Sequence, residues 1–324
     1  MPTQGVLLYF EDESALAGRI AKAAGMALGL VERHVFPDGE MKLRLPPSLP
    51  ARVVVLRSLN QPNAKLVELL LTARTARELG ATHLTLVAPY LAYMRQDVAF
   101  HPGEAISQRI VGQHLADLFD AVITVDPHLH RVSTLKEAVP ANQALALSAA
   151  PLLSEFAFQQ CPDVMLIGPD EESGQWISEA AKPHGLAHAV CQKVRHGDRQ
   201  VDITLPDIDV RGRTLVLLDD IASSGHTLAQ AARLLRQAGA QSVDVAITHA
   251  LFADDAVALI RAAGVRHIWS TDTVLHSSNC VSIAALMADG LQRQATERAR
   301  GRTSSRPSVR SLKMGTKKSP FREA

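Results

Sequence analysis

The sequence predicts an α/β fold of two tandem domains, each a mainly parallel sheet covered by helices on both faces. Two observations lead there. Short runs of Val, Ile and Leu alternate with stretches of helical periodicity, the pattern of βαβ units whose strands are buried on both sides. The series also runs twice, with a break near residues 140–155. The expected domains are 1–146 and 147–292, followed by a tail at 293–324.

The elements follow in order. VVVL (53–56) reads as a strand. NAKLVELLLTARTAREL (63–79) has apolar residues at helical spacing, with Gly80 as its stop. LTLV (84–87) is a strand ending in a Pro-Tyr loop, Ser107 is expected to cap a helix through Phe119, and VITVD (122–126) is a third strand. The second series opens with VMLIGPD (164–170) as strand and loop. TLVLLDD (214–220) is its next strand, and HTLAQAARLLRQAG (226–239) a helix closed by Gly239. VDVAIT (243–248) is a strand, DDAVALIRAAG (254–264) a helix, and HIWSTD (267–272) the last strand.

With 324 residues, 47% of them hydrophobic, the chain can bury one large core or two. Its net charge of +1 is unevenly spread: from Leu291 onward there are ten Lys/Arg against two Asp/Glu. That tail is Ser/Arg/Lys-rich and is expected to be disordered, with a solvated tail as the plain reading and contact with nucleic acid or another polyanion as the alternative. Cys161, Cys191 and Cys280 have no metal or CxxC spacing, which points to free thiols in a reducing compartment. The N-terminal stretch lacks a basic region, and Glu11, Asp12 and Glu13 interrupt its apolar run, so no signal peptide is expected. No apolar run approaches the ~20 residues needed to cross a bilayer. A cytoplasmic protein is expected.

The chemistry concentrates in LLDDIASSG (217–225). Ligands of open parallel sheets sit at the carboxyl ends of the strands. The small residues at 222–227 can wrap a phosphate, with backbone N–H groups pointing inward and a helix N-terminus behind them. Asp219 and Asp220 would repel that phosphate; they suit sugar hydroxyls, or a Mg²⁺ nearby. A loop built for a sugar carrying a phosphate reconciles the two halves, whereas an N-cap with a surface turn leaves the adjacent acids unexplained. There is no GxxxxGK[ST] loop, which excludes a P-loop kinase.

VLLDDIASSGHT is similar to the phosphoribosyl-binding loop of type I phosphoribosyltransferases. FPDGE (36–40), LVAPYLAYMRQD (86–97), PGEAISQR (102–109), VDPH (125–128) and QKVRHGDR (192–199) resemble, in order, the motifs of the ribose-phosphate pyrophosphokinase (PRPP synthetase) family. The resemblance spans about residues 5–290, and VDPH and DDIASSG look closer to its archaeal-type branch. It implies two phosphoribosyltransferase-like domains. It also implies transfer of the β,γ-diphosphoryl group of ATP to the C1 hydroxyl of ribose 5-phosphate, with Mg²⁺ as cofactor. By resemblance, Phe36, Asp38 and Glu40 meet the ATP base of a neighbouring subunit, so at least a dimer is implied, and Arg95, Gln96 and His128 also serve ATP. Asp219, Asp220, Ser223, Ser224, Gly225 and Thr227 hold ribose 5-phosphate, and Asp126, His128 and Asp170 hold Mg²⁺. Lys193 and Arg195 belong to the catalytic loop.

Residue chemistry runs parallel to that resemblance. The Arg95 guanidinium fits phosphate oxygens bidentately, with Asp97 orienting it. Asp126, directly or through a water, is the natural Mg²⁺ partner, and His128 suits metal or phosphate. Lys193 and Arg195, alternating on a short strand, would neutralise charge developing in the transition state. His130, His196 and Arg199 stay unassigned. Two departures stand out: GPDEESGQW lacks the family's glycine-rich turn and puts Glu171 and Glu172 beside the sugar site, and Ser223 stands where the common bacterial form has Asp. The rivals are a phosphoribosyltransferase, which would need no ATP site, and a regulatory homologue without full activity.

Overall fold

In the computed structural model, residues 5–129, 131–196 and 200–304 are described, without the side chains of 172, 175, 193–202 and 301–304. The first half builds a six-stranded sheet from β1 (Val6–Tyr9), β2 (Ala27–Leu30), β5 (Arg52–Leu56), β6 (His83–Ala88), β7 (Ala121–Val125) and β8 (Gln143–Leu147), in the order β2-β1-β5-β6-β7-β8. Between β2 and β5 stands an antiparallel hairpin of β3 (Glu32–Val35) and β4 (Met41–Arg44). The second half repeats the plan with β9 (Met165–Gly168), β10 (His188–Val190), β13 (Thr214–Ala222), β14 (Ser242–Ala250), β15 (Val265–Thr271) and β16 (Asn279–Val281), in the order β10-β9-β13-β14-β15-β16. A second hairpin, β11 (Gln192–His196) with β12 (Gln200–Thr204), projects from it. Every pairing within the two large sheets is parallel.

Alternation along each strand explains the layering, because successive side chains point to opposite faces. Val53, Val55, Leu84 and Leu86 pack against α2 (Pro62–Glu78) and α3 (Ser107–Leu118). Val54, Leu56 and Val87 face the other way, toward α1 (Ser14–Ala24). A single turn, α4 (Leu135–Ala138), precedes β8. In the second domain, Leu215, Leu217, Val243 and Val245 meet α7 (His226–Gln237) and α8 (Ala256–Ala262), while Leu166, Val216 and Leu218 meet α5 (Ala150–Gln160) and α6 (Gly174–Ala181).

The structure amends several sequence expectations. Ser107 is the first helical residue of α3, not its cap; the preceding Ile106 has that place, and no side chain caps it. HIWSTD is not the last strand, since β16 follows. The span 147–292 is not one spatial unit: α9 (Ala284–Ser304) returns to the first sheet, where Met287 and Leu291 join Leu7, Ile123 and Leu147 in one core. The tail expected to be disordered from 293 is helical to Ser304, and the rest of it lies outside the described residues. A wide apolar stripe on its first turns explains the return, and the Gln294 amide extends it by meeting Nε2 of His83 at 2.9 Å. Gly80 and Gly239 act as expected, ending α2 and α7 in left-handed backbone (φ +106° and +96°). All three cysteines are free. No helix among the described residues is long and apolar enough to cross a membrane.

At the carboxyl end of β5, Arg57 is buried to 1% exposure. Its Nε donates to Glu68 at 2.7 Å, and one terminal nitrogen reaches Asp12 at 2.8 Å and Glu13 at 3.1 Å. The Phe10 ring lies 4.4 Å beneath the guanidinium. Glu13 in turn accepts the Ser58 N–H. Removing the cation would strand buried carboxylates. Arg57→Met is therefore expected to cost about 3–5 kcal/mol, read as a lower urea midpoint at unchanged slope.

Candidate active site

The carboxyl ends of the two large sheets face one cavity of about 680 Å³. One wall comes from the first domain, where β7 runs into Asp126 and His128, with Arg95 alongside. The opposite wall comes from the second, with Asp170 after β9, Asp219 and Asp220 near the end of β13, and Ser223, Ser224, Gly225 and Thr227 in the turn into α7.

That turn has a steric reason for its glycine. Gly225 sits at φ +74°, and a Cβ there would lie 3.1 Å from the Ala256 carbonyl oxygen. No side chain caps α7, so its first N–H groups are left for an anion in the cavity. Ser224 is exposed and Thr227 half-buried beside them.

The acidic pair is split electrostatically. Burial, then the neighbouring carboxylates of Asp220 and Asp170, push Asp219 well above the ordinary carboxyl range. Burial also acts against ionisation of Asp220, but there the hydrogen bond and charge of His128 win, and its carboxyl is held low. His128 Nδ1 lies 2.8 Å from Asp220 Oδ2, so the two walls touch across the cavity. The Asp220 N–H donates to Asp219 Oδ1 at 3.0 Å. Two adjacent buried carboxyls pushed in opposite directions titrate as a pair, not as independent groups.

Asp126 is the most committed of the predicted residues. It is buried, with left-handed backbone (φ +34°) that a non-glycine residue seldom adopts. Its Oδ1 accepts from Trp176 Nε1 at 3.1 Å; its Oδ2 accepts from the Ala149 N–H at 3.0 Å and the Thr248 hydroxyl at 2.9 Å. Burial raises its carboxyl pKa, against the pull of the Ala149 N–H, the Ser148 side chain, His249 and Trp176. His249 Nε2 meets the carbonyls of Val125 and Asp126 at 3.0 and 3.3 Å, and burial keeps that imidazole neutral-leaning. Nothing in the sequence pattern singled out Trp176, Thr248 or His249. The available signal was ITHA closing an apolar strand, since polar residues there must find buried partners.

Arg95 lines the cavity, whereas Gln96 does not; its amide donates to the Val98 carbonyl at 2.9 Å. Asp97 pairs with Arg131 at 2.5 Å rather than with Arg95. Phe36, Asp38 and Glu40 form the exposed tip of the first hairpin and line no part of this cavity. That hairpin follows β2, the edge strand opposite β8, and Arg33 ties it to Glu68 of α2. The turn after Asp170 is built without the family's glycines: Ser173 folds back and donates to the Asp170 carbonyl, so close to Gly168 that a Cβ there would meet its hydroxyl. Glu171 is exposed outside the cavity lining, and the Glu172 side chain is outside the described residues. So are the side chains of Lys193 and Arg195, and His130, Arg199 and residues 197–198 entirely. The hairpin bearing them is rooted beside Asp170, since the Cys191 N–H donates to the Gly168 carbonyl at 2.8 Å.

Comparison with known proteins gives a consistent picture. Residues 6–118 match the family described as the N-terminal domain of ribose phosphate pyrophosphokinase, and residues 136–258 the phosphoribosyl transferase domain family. The ribose-phosphate pyrophosphokinase of Methanopyrus kandleri is 38% identical over 291 residues, covering 89% of this chain and 98% of its own. Ribose-phosphate pyrophosphokinase 2 of Archaeoglobus fulgidus is 36% identical over 276 residues, covering 85% and 96%. Both relatives are archaeal, as the VDPH and DDIASSG motifs suggested. The crystal structure of phosphoribosylpyrophosphate synthetase from Mycobacterium smegmatis superposes with a TM-score of 0.76 at 25% identity, over 91% of this chain and 100% of that one.

The strained acid pair yields a signed expectation. With its folded pKa raised, Asp219 costs nothing below the unfolded value of about 3.9 and lowers stability as pH climbs through it. Asp219→Asn should raise the unfolding free energy by about 1 kcal/mol at pH 7 and by less near pH 4, measured by calorimetry.

Proposed function

The chain belongs to the ribose-phosphate pyrophosphokinase family, and on that premise we propose that its interdomain cavity transfers the β,γ-diphosphoryl group of ATP to ribose 5-phosphate. The products are phosphoribosyl pyrophosphate and AMP. One observation carries this reading: a wall of carboxylates, hydroxyls and a helix start from the second domain and a wall with Arg95 and His128 from the first share a single cavity. A transferase acting on a base would need only the former.

In this reading the 5-phosphate lies in the 223–227 turn, against the N–H groups of α7 and the hydroxyls of Ser223, Ser224 and Thr227. Asp219 and Asp220 accept hydrogen bonds from ribose hydroxyls. Arg95 and His128 reach the triphosphate from the other side, and Lys193 and Arg195 on the second hairpin neutralise charge on the transferred group. The protein supplies alignment: the C1 oxygen attacks the β-phosphorus in line as AMP departs. Phe36, Asp38 and Glu40, remote from their own cavity, serve the ATP base of a neighbouring subunit, so the working form is at least a dimer. Gln96 acts on ATP only indirectly, by holding the loop that presents Arg95. We place the reaction in the cytoplasm, where the three free thiols stay reduced.

Mg²⁺ fits the cavity's donor set. Asp170, Asp219 and Asp220 are hard oxygen donors whose mutual repulsion a dication would relieve. Among the described residues, no three of His, Cys, Asp or Glu enclose a metal by themselves; Mg²⁺ is commonly held by one or two carboxylates plus substrate phosphates. Asp170, with His128 at the phosphate side, would hold it. When bound, Mg²⁺ neutralises the negative charge of the phosphates.

The test is product analysis with ATP, Mg²⁺ and ribose 5-phosphate. Sugar-dependent AMP and phosphoribosyl pyrophosphate in equal amounts are expected; ADP instead would mean kinase chemistry, and no turnover a regulatory homologue. Lys193→Ala should lower kcat by about 10²–10³-fold with an unchanged circular dichroism spectrum, and near-normal turnover would remove Lys193 from the mechanism.

A further inference from the structure

Asp126 is the residue that sequence chemistry offered first to a metal, and its surroundings give it different work. A carboxylate that binds Mg²⁺ turns lone pairs toward the ion. Here both oxygens already face protein donors: the Trp176 indole N–H on Oδ1, the Ala149 N–H and the Thr248 hydroxyl on Oδ2. These donors lie on α6, at the junction after β8 and on β14, whereas Asp126 ends β7 of the first sheet. The main-chain carbonyl of the same residue lies 3.3 Å from Nε2 of His249, again from the second sheet. Ala149, Thr248 and His249 are buried, so a metal would have to pull the carboxylate from the Ala149 N–H and the Thr248 hydroxyl and leave them buried without an acceptor.

We propose that Asp126 is a positioning residue, not a metal ligand, and that with Trp176 it forms the tie that sets the separation of the two walls of the cavity. The proposal deepens the diphosphoryl-transfer reading and rests on it for its kinetic consequence. His128 follows Asp126 by two residues and reaches Asp220 at 2.8 Å, so the orientation of Asp126 determines where the first wall meets the second. Arg95 and His128 are fixed to one sheet, the sugar-holding residues to the other. In-line transfer between them tolerates little misplacement; a 1 Å error costs on the order of a hundredfold in rate. Trp176 also lines the cavity, so its indole lies both in the tie and in the wall that a substrate touches.

Two substitutions test this from opposite ends. Trp176→Phe keeps an aromatic ring and deletes the donor. Asp126→Asn keeps the shape but must present an N–H either to Trp176 or to the Ala149–Thr248 pair. Both variants should fall about tenfold or more in kcat, with KM for ribose 5-phosphate and the Mg²⁺ half-saturation each within about twofold of the parent. Because the two act on one contact, the double variant should be no slower than the slower single one. A readout independent of turnover is the fluorescence of Trp176, taken as parent minus Trp176→Phe: its emission should move when Asp126 becomes Asn. Several results would overturn the proposal. One is a Mg²⁺ half-saturation raised about tenfold in Asp126→Asn alone, the behaviour of a metal ligand. Unchanged kcat in both variants, or a Trp176 emission indifferent to Asp126→Asn, would do so as well. Should the parent itself make no phosphoribosyl pyrophosphate, the diphosphoryl-transfer reading fails separately, and the emission shift alone decides whether the tie exists.

Discussion

A parallel sheet leaves a crevice at the carboxyl ends of its strands, and a chain with two such sheets has two crevices to fill or use. This molecule solves the two in opposite ways. β5 and β13 hold the same third place in their sheets. Arg57 follows directly after β5, enclosed by Asp12, Glu13 and Glu68. Near the end of β13 stand Asp219 and Asp220, where among the described residues His128 meets Asp220 at 2.8 Å. The first crevice is filled from within; the second keeps an open cavity lined by adjacent carboxylates and an uncapped helix start.

The same contrast separates stability from activity. Charges in the Arg57 cluster are paired on nearly every side, and the domain gains a rigid edge. At the acidic pair, burial and then the neighbouring carboxylates push Asp219 up, while the hydrogen bond and charge of His128 hold Asp220 low. Such stored repulsion persists only where surrounding structure holds it, and it is released when hydroxyl donors or a cation arrive.

The two domains are joined by more than the chain. α9 crosses back to the first sheet, the Ser58 hydroxyl donates to the Thr273 carbonyl, and Arg19 pairs with Asp272 at 2.8 Å. Asp126, which lines the cavity, adds its own contacts to Trp176 and Thr248 of the second domain. Its unusual backbone angle makes sense there, since the chain must turn sharply to carry His128 over the other domain.

The sequence by itself determined the layers and the chemistry of the loops. Strand alternation in VVVL and TLVLLDD, the glycines that end α2 and α7, and the acids and hydroxyls of 219–227 are local patterns, and local patterns survive in the linear order. It also carried the family resemblance, motif by motif. Only the tertiary structure decided which residues meet. Asp126 and Trp176 lie 50 positions apart, and Asp126 and Thr248 122 apart; no periodicity links such pairs. Tertiary packing likewise carried α9 to the opposite domain, because an apolar stripe states that a helix must be covered and not by what. The hairpin with Phe36, Asp38 and Glu40 was legible as a motif, but that its tip lines no part of its own cavity was settled by packing, which ties Arg33 to Glu68 of α2.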